Sequence, residues 1–238
     1  MTADAILELE DVHAHIGVSH ILQGVTMRVP RNLVTVVLGR NGVGKTTTLR
    51  SVLGLVSRSG RIVFDGTDIS RDLTHQIVHR GISYVPEDRD VFHALTVREN
   101  LRLAERKGRP HQYDLVYDLF PELKSRAGQV AGTLSGGQQQ MVALGRGLLN
   151  GDPLILVDEP TKGLAPKLVT EVVEVLDRAR QVSTIVMVEQ NLLAARRLGG
   201  HVVVMAEGRV VLEGTPDLFG DERHLRELLG IARVEATH

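Results

Sequence analysis

Eight residues, Gly39-Arg40-Asn41-Gly42-Val43-Gly44-Lys45-Thr46, constrain this chain more than any other stretch, because they satisfy the phosphate-loop pattern G-x-x-x-x-G-K-[ST] at every fixed position. The composition has a physical reason. Glycines let successive backbone N–H groups turn toward phosphate oxygens, and the N-terminus of a following helix adds partial positive charge. Such a loop implies a bound nucleoside triphosphate, with Lys45 reaching the β- and γ-phosphates and Thr46 ligating Mg²⁺. Thr47, next along the helix, is counted with the nucleotide-binding residues. The flanks agree with this assignment: Leu33 to Leu38 reads as a buried strand, and Leu49, Val52, Leu53 and Val56 follow at helical spacing. A glycine-rich turn can match the pattern by coincidence, so the rest of the chain has to decide.

A chain of 238 residues with 42% hydrophobic content can bury a core without disulfide or metal staples. The net charge of −1 offers no electrostatic footprint for nucleic acid, so no nucleic-acid partner is expected. The absence of cysteine excludes thiol redox chemistry and thiolate metal sites. Near the start, Asp4, Glu8, Glu10 and Asp11 stand where a secretory signal would be basic and then apolar, so the chain is expected in the cytoplasm. No run approaches the roughly 18–20 apolar residues that cross a bilayer, and any membrane crossing is left to another polypeptide.

Taken in order, Ile6 to Val12 and Ile21 to Val29 read as half-exposed strands, with His13, His15 and His20 expected as solvated loop residues between them. These histidines lack a carboxylate or thiol at a recognised ligand spacing. Arg61 to Phe64 ends in the turn dipeptide Asp65-Gly66, and Asp72 to Arg80 reads as a short polar helix. There His75 and His79 share a face, but Gln76 breaks the H-E-x-x-H pattern and exposed surface is the better reading. Ile82 to Pro86 is a strand closed by proline, delivering Glu87, Asp88, Arg89 and Asp90 into a charged loop. Thr96-Val97-Arg98-Glu99 has the form of a capping box and predicts a helix running toward Lys107, with Arg98, Arg102, Arg106 and Lys107 as a solvated basic stripe. Tyr113 to Phe120 predicts another short helix. The second half reads strand (154–157), helix (168–180), strand (184–188), helix (192–198) and a hairpin around Glu207-Gly208. Alternating strands and helices predict a parallel sheet covered on both faces.

Two further motifs follow the phosphate loop. Leu134-Ser135-Gly136-Gly137-Gln138 comes first, and Leu154 to Val157 then ends in Asp158-Glu159. With these three motifs in this order, the chain resembles the ATP-binding subunit of ABC transporters over nearly its whole length. The resemblance implies an α/β P-loop NTPase of the ABC type. Its sheet core would be mostly parallel, with an N-terminal antiparallel β subdomain and an inserted α-helical subdomain. The boundaries expected are a single domain over 1–238, with the core at about 1–86 and 151–238 and the helical part at about 87–150. It also implies roles. Asp158, Thr46 and Glu87 would hold Mg²⁺, Glu159 would be the general base, and Gln190 with Glu87 would complete the catalytic set. Ile16 would lie against the nucleotide base, and Leu134 to Gln138 would cap the γ-phosphate of ATP held by a partner. The expected assembly is a head-to-tail homodimer, or a heterodimer with a related ABC ATPase. It would sit on the cytoplasmic face of the membrane against separate transmembrane permease subunits, with a solute-binding protein engaged indirectly.

Within the family, the likeness is to the smaller ATPase of branched-chain amino-acid uptake systems. It is carried by Val85-Pro86-Glu87, Leu95 to Leu101, Glu159-Pro160-Thr161, Gly163 to Pro166 and Val188 to Asn191. Departures from the general family pattern are Glu87 for a glutamine, Gln190 for a histidine, Ile16 for an aromatic, and Lys162 in the loop beside Gly163. Gln190 can donate an amide hydrogen but cannot become charged. An aliphatic Ile16 should weaken base recognition. Transport of urea, short amides or other amino acids, a non-transport ABC ATPase, and a regulatory clamp on ATP are the alternatives. The permease surface is expected between the Glu87 loop and the helices of 96–120, and Asp217 to Ile231 is read as a surface helical pair without a role.

Overall fold

Alternation shapes the first elements, and its absence shapes the central ones. In the computed structural model, which describes residues 4–220 together with Leu225 and Leu229, β1 (Ala5–Ile16) and β2 (Ser19–Pro30) form an antiparallel hairpin. Leu7, Leu9, Val12, Leu22, Val25, Met27 and Val29 are buried in it, while Glu8, Glu10 and Arg28 are not. The chain then enters β3 (Val34–Leu38), whose five residues are all buried, and α1 (Lys45–Val52). β4 (Ser57–Phe64) and the short β5 (Thr67–Asp68) complete an antiparallel sheet of order β2-β1-β4-β5. Next come α2 (Thr74–Arg80), β6 (Ile82–Val85), and four helices: α3 (Val97–Arg102), α4 (Tyr113–Leu119), α5 (Pro121–Ser125) and α6 (Gly136–Leu148). The remainder is β7 (Leu154–Asp158), α7 (Pro166–Ala179), β8 (Thr184–Glu189), α8 (Leu192–Leu198), β9 (His201–Ala206) and β10 (Arg209–Gly214).

The second sheet has the order β10-β9-β3-β8-β7-β6 and is parallel except for β10. Its central strands β3, β7 and β8 are buried on both faces, which is why they read as nearly unbroken apolar runs. Successive residues serve opposite faces. Val37, Leu156, Val186 and Val203 pack with the antiparallel sheet and α1, whereas Val36, Leu38, Ile155, Ile185 and Val204 pack with helices α3, α6, α7 and α8. This is the α/β architecture expected, with helices on one face and a second sheet on the other. Val172, Val175, Leu176 and Ala179 of α7 are buried along the face their spacing predicts.

Several expectations need correction. His13, His15 and His20 are not loop residues: they lie on β1 and β2, where His15 stacks on His20 at 4.4 Å and His13 Nδ1 is 3.0 Å from His20 Nε2. The capping box at Thr96 and Glu99 forms, but α3 stops at Arg102 instead of continuing toward Lys107. The reason is Arg106. Its guanidinium leaves solvent to pair with Asp152, a fully buried carboxylate that also accepts from Arg109 Nη1 at 3.0 Å and from the Ser83 hydroxyl. The basic stripe is therefore only partly a solvated face. α5, opened by Pro121 directly after α4, was not anticipated. Pro216–Gly220 forms a single 3₁₀ turn, and most of the expected C-terminal helical pair lies outside the described residues.

Asp152 ties the segment after α3 to the edge of the parallel sheet, and a buried ion pair that loses one partner leaves an uncompensated charge. Asp152→Ala should destabilise the protein by about 3 kcal/mol, read from the midpoint and slope of urea unfolding, with Arg109→Ala costing less because Arg109 is more exposed.

Candidate nucleotide site

The parallel register determines what the site can contain. Leu38 of β3 pairs with Glu189 of β8, and Val188 of β8 pairs with Asp158 of β7, so three strands end at one edge. Open parallel sheets bind ligands at that edge, outside the C-terminal ends of the strands. The phosphate loop leaves β3 there. Its tip, Arg40-Asn41-Gly42, is exposed, and its base, Gly39, Gly44 and Lys45, is buried. Gly44 caps α1 at φ +107°, and a Cβ on it would lie 2.7 Å from Leu22 Cδ2, so the loop conformation requires glycine. Lys45 Nζ donates to Gly39 O at 2.9 Å and Arg40 O at 3.0 Å, which folds its ammonium back into the loop. The cradle of N–H groups, the helix N-terminus and Lys45 suit a polyphosphate.

Thr46 and Asp158 meet: Thr46 Oγ1 donates to Asp158 Oδ1 at 2.9 Å. Tyr84 OH donates to Asp158 Oδ2 at 3.1 Å. These two hard oxygen ligands, one on each side of the phosphate loop, match the preference of Mg²⁺. Burial raises the Asp158 carboxyl above its ordinary range, and the hydrogen bonds from Thr46 and Tyr84 only partly offset that. The Tyr84 phenol is pushed up as well, by burial first and then by the Asp158 charge. Tyr84 was not singled out in the sequence. Its place directly before Val85-Pro86, on the strand that pairs with β7, was the available signal.

Glu159 follows Asp158 but leaves the strand, with φ +44°, a region that non-glycine residues adopt at a cost of about 1 kcal/mol. The turn points it away from Asp158. Its Oε1 accepts from Gln190 Nε2 at 2.6 Å and lies 3.5 Å from Lys45 Nζ. Gln190 also donates to Asn41 Oδ1 of the phosphate loop. Holding these two loops in place is Glu189, 2% exposed, which the sequence reading gave no role. Its carboxylate accepts from Thr161 Oγ1 at 2.6 Å, Thr161 N at 3.3 Å, Gln190 N at 2.9 Å and Asn191 N at 3.0 Å. A carboxylate at the end of the apolar run Thr-Ile-Val-Met-Val is the signal that could have found it. Glu87 pairs with Lys162 rather than reaching Asp158 directly. Thr47 is buried in α1, and Ile16, 49% exposed, closes β1 opposite Ser19.

In the stretch Leu134 to Gln138, Leu134 and Gly137 are buried. Ser135 caps α6, accepting from Gln138 N at 3.3 Å while Gln138 Oε1 accepts from Ser135 N at 3.1 Å. Ser135 and Gly136 are exposed, and Leu168 packs so closely on Gly137 that a Cβ there would lie 2.4 Å from its Cδ1. Among the described residues, no hydrogen bond or ion pair joins this helix N-terminus to the phosphate loop of the same chain.

Comparison with known proteins identifies the family. Residues 22–162 match the family model described as ABC transporter. The chain is 36% identical over 216 residues to the high-affinity branched-chain amino acid transport ATP-binding protein BraG of Pseudomonas aeruginosa, covering 88% of this chain and 93% of that one. It is 34% identical over 220 residues to a probable branched-chain amino acid transport ATP-binding protein, LivF, of Archaeoglobus fulgidus, covering 89% and 93%. Matches at 30–31% include ATP-binding proteins of general amino-acid transport and of lipopolysaccharide export. The fold superposes on the ADP conformation of an ATP-binding cassette of an ABC transporter with a TM-score of 0.80, at 26% identity over 97% of this chain and all of that one.

The raised Asp158 carboxyl has a consequence for stability. Because its folded value lies above the ordinary 3.8, its ionised form costs stability that is lost as pH rises from about that value through the folded one. Without nucleotide or divalent cation, Asp158→Asn should raise stability at pH 7, and the gain should vanish as the pH falls toward 3.8, measured by urea unfolding across that range.

Proposed function

The chain belongs to the ABC transporter family, whose ATP-binding subunits are ATPases, and from that premise we propose that it hydrolyses ATP to energise import of branched-chain amino acids through separate transmembrane subunits. The observation that carries this reading is the convergence of Lys45, Glu159 and Gln190 on the rim of the phosphate loop. Lys45 exchanges the carbonyls of Gly39 and Arg40 for the β- and γ-phosphate oxygens of ATP. Glu159 then loses a cationic neighbour to the phosphates and is free to take a proton from the attacking water. Gln190, already tethered to Asn41, turns an amide hydrogen toward the γ-phosphate. Thr46 and Asp158 would hold Mg²⁺, which when bound neutralises charge on the phosphates, while Glu87 stays paired with Lys162.

The exposed N-terminus of α6 makes no hydrogen bond to its own phosphate loop among the described residues, and in this reading its Ser135 hydroxyl and the N–H groups of Gly136 and Gly137 serve the ATP of a second chain. Each chain carries two half-sites. The assembly is a head-to-tail pair, formed with another copy or with a related ABC ATPase. Among the described residues no helix is long and apolar enough to cross a membrane. The similar proteins are named as ATP-binding proteins of transport systems, which supports a separate permease on whose cytoplasmic face this chain docks. A groove of about 410 Å³ between the Glu87 loop and the helices is the docking place, lined by Pro86, Arg89, Leu103, Ala104, Arg146 and Gly147. The names of the most similar relatives support branched-chain amino acids as cargo.

ATP hydrolysis by the purified chain should rise faster than linearly with protein concentration, and Glu159→Gln should lower turnover about 100-fold or more while ATP still binds. Strictly linear activity that survives Glu159→Gln would overturn both the pairing and the base. In the reconstituted transporter, leucine, isoleucine or valine with the cognate solute-binding protein should stimulate hydrolysis, whereas stimulation by urea alone would reassign the cargo.

A further inference from the structure

Lys162 lies in the loop between β7 and α7 and reaches back across the site. Its Nζ is ion-paired with Glu87 Oε1 and lies 3.7 Å from Glu159 Oε2. The other oxygen of Glu159 is 3.5 Å from Lys45 Nζ. Lys45, Glu159, Lys162 and Glu87 thus form a line of alternating charge running from the phosphate loop to the loop after β6. Asp158 and Asp88 flank that line with further negative charge. The hydrogen bond that Lys162 donates to Glu87 holds its ammonium above its ordinary value.

A bound nucleoside triphosphate brings its most highly charged group to the Lys45 end of the line. Lys45 turns to the phosphates, and Glu159 and Glu87 remain as two carboxylates beside the γ-phosphate. One cation is then left between them. We propose that Lys162 is a positioning residue that neutralises Glu87 and holds it with Glu159 beside the γ-phosphate, and so sets this chain's preference for a nucleoside triphosphate over a diphosphate. The inference rests on the reading that the phosphate loop holds ATP with its γ-phosphate toward Glu159. Lys162 has 55% of its side chain exposed, so the effect is moderate and screened by salt.

The test is calorimetric titration of the full chain with the non-hydrolysable triphosphate AMP-PNP and with ADP, each with Mg²⁺. Lys162→Met should weaken AMP-PNP binding about three- to tenfold and leave ADP within about twofold, because only the triphosphate meets the uncompensated carboxylates. Adding Glu87→Gln to Lys162→Met should restore the AMP-PNP affinity, and Lys162→Arg should stay near the wild type. The difference should shrink as salt is raised from about 0.05 to about 0.5 M. Equal weakening of both ligands, no weakening of either, or failure of Glu87→Gln to restore binding would overturn the proposal. Unfolding midpoints of each variant separate loss of fold from loss of charge. A wild-type chain that binds neither nucleotide would instead overturn the assignment of the phosphate loop, which is a different result.

Discussion

The in-register alignment of β3, β8 and β7 is the constraint on which everything else in this molecule depends. Because Leu38, Glu189 and Asp158 end side by side, the phosphate loop, the Asp158-Glu159 turn and the Gln190 loop emerge at one edge without any long-range adjustment. Strand register is enforced by burial on both faces, since a slip of one residue would exchange the residues facing the antiparallel sheet with those facing the helices. The strand ends that carry the site are therefore set by the core, and polar contacts act on the loops beyond them.

Given that edge, the polar contacts decide the chemistry. Asp158 is buried, and among the described residues the hydroxyls of Thr46 and Tyr84 donate to it, an arrangement poor for stability and suited to receiving a cation. Glu159 is turned out of the strand line into a left-handed conformation, which separates the two adjacent carboxylates and gives each a different neighbour. Glu189 acts at one remove. By accepting four hydrogen bonds from Thr161, Gln190 and Asn191, it fixes the relative position of the loops that carry Glu159 and Gln190. Among the described residues the α6 N-terminus makes no hydrogen bond or ion pair with the phosphate loop, and in the proposed head-to-tail pair it is offered to a second chain.

Local pattern was enough for some of this and insufficient for the rest. The phosphate loop, the capping box at Thr96, and Asp158 at the end of an apolar strand were legible because each is a short-range signal whose residues lie within a few positions of one another. The layered sheet followed from uninterrupted apolar runs alternating with helical periodicity. Tyr84 and Lys162 were invisible as partners because their contacts, to Asp158 and to Glu87, span 74 and 75 residues and depend on which strands neighbour one another. Arg106 looked like a surface cation because nothing local marks Asp152 as buried, and the end of α3 was misjudged for the same reason. The histidines of the first hairpin were assigned to a loop because β1 and β2 continue past the point where apolar alternation fades.

The central claim is that phosphate loop and α6 N-terminus are complementary halves supplied by different chains. Mixing two inactive variants tests it most directly: Lys45→Ala, which loses the phosphate grip, and Ser135→Arg, which blocks the α6 N-terminus. A mixed pair contains one intact composite site, so the mixture should hydrolyse ATP well above either variant alone, with the gain depending on total protein concentration. Activity equal to the sum of the two separate variants, while each still folds and Ser135→Arg still binds ATP, would contradict the account.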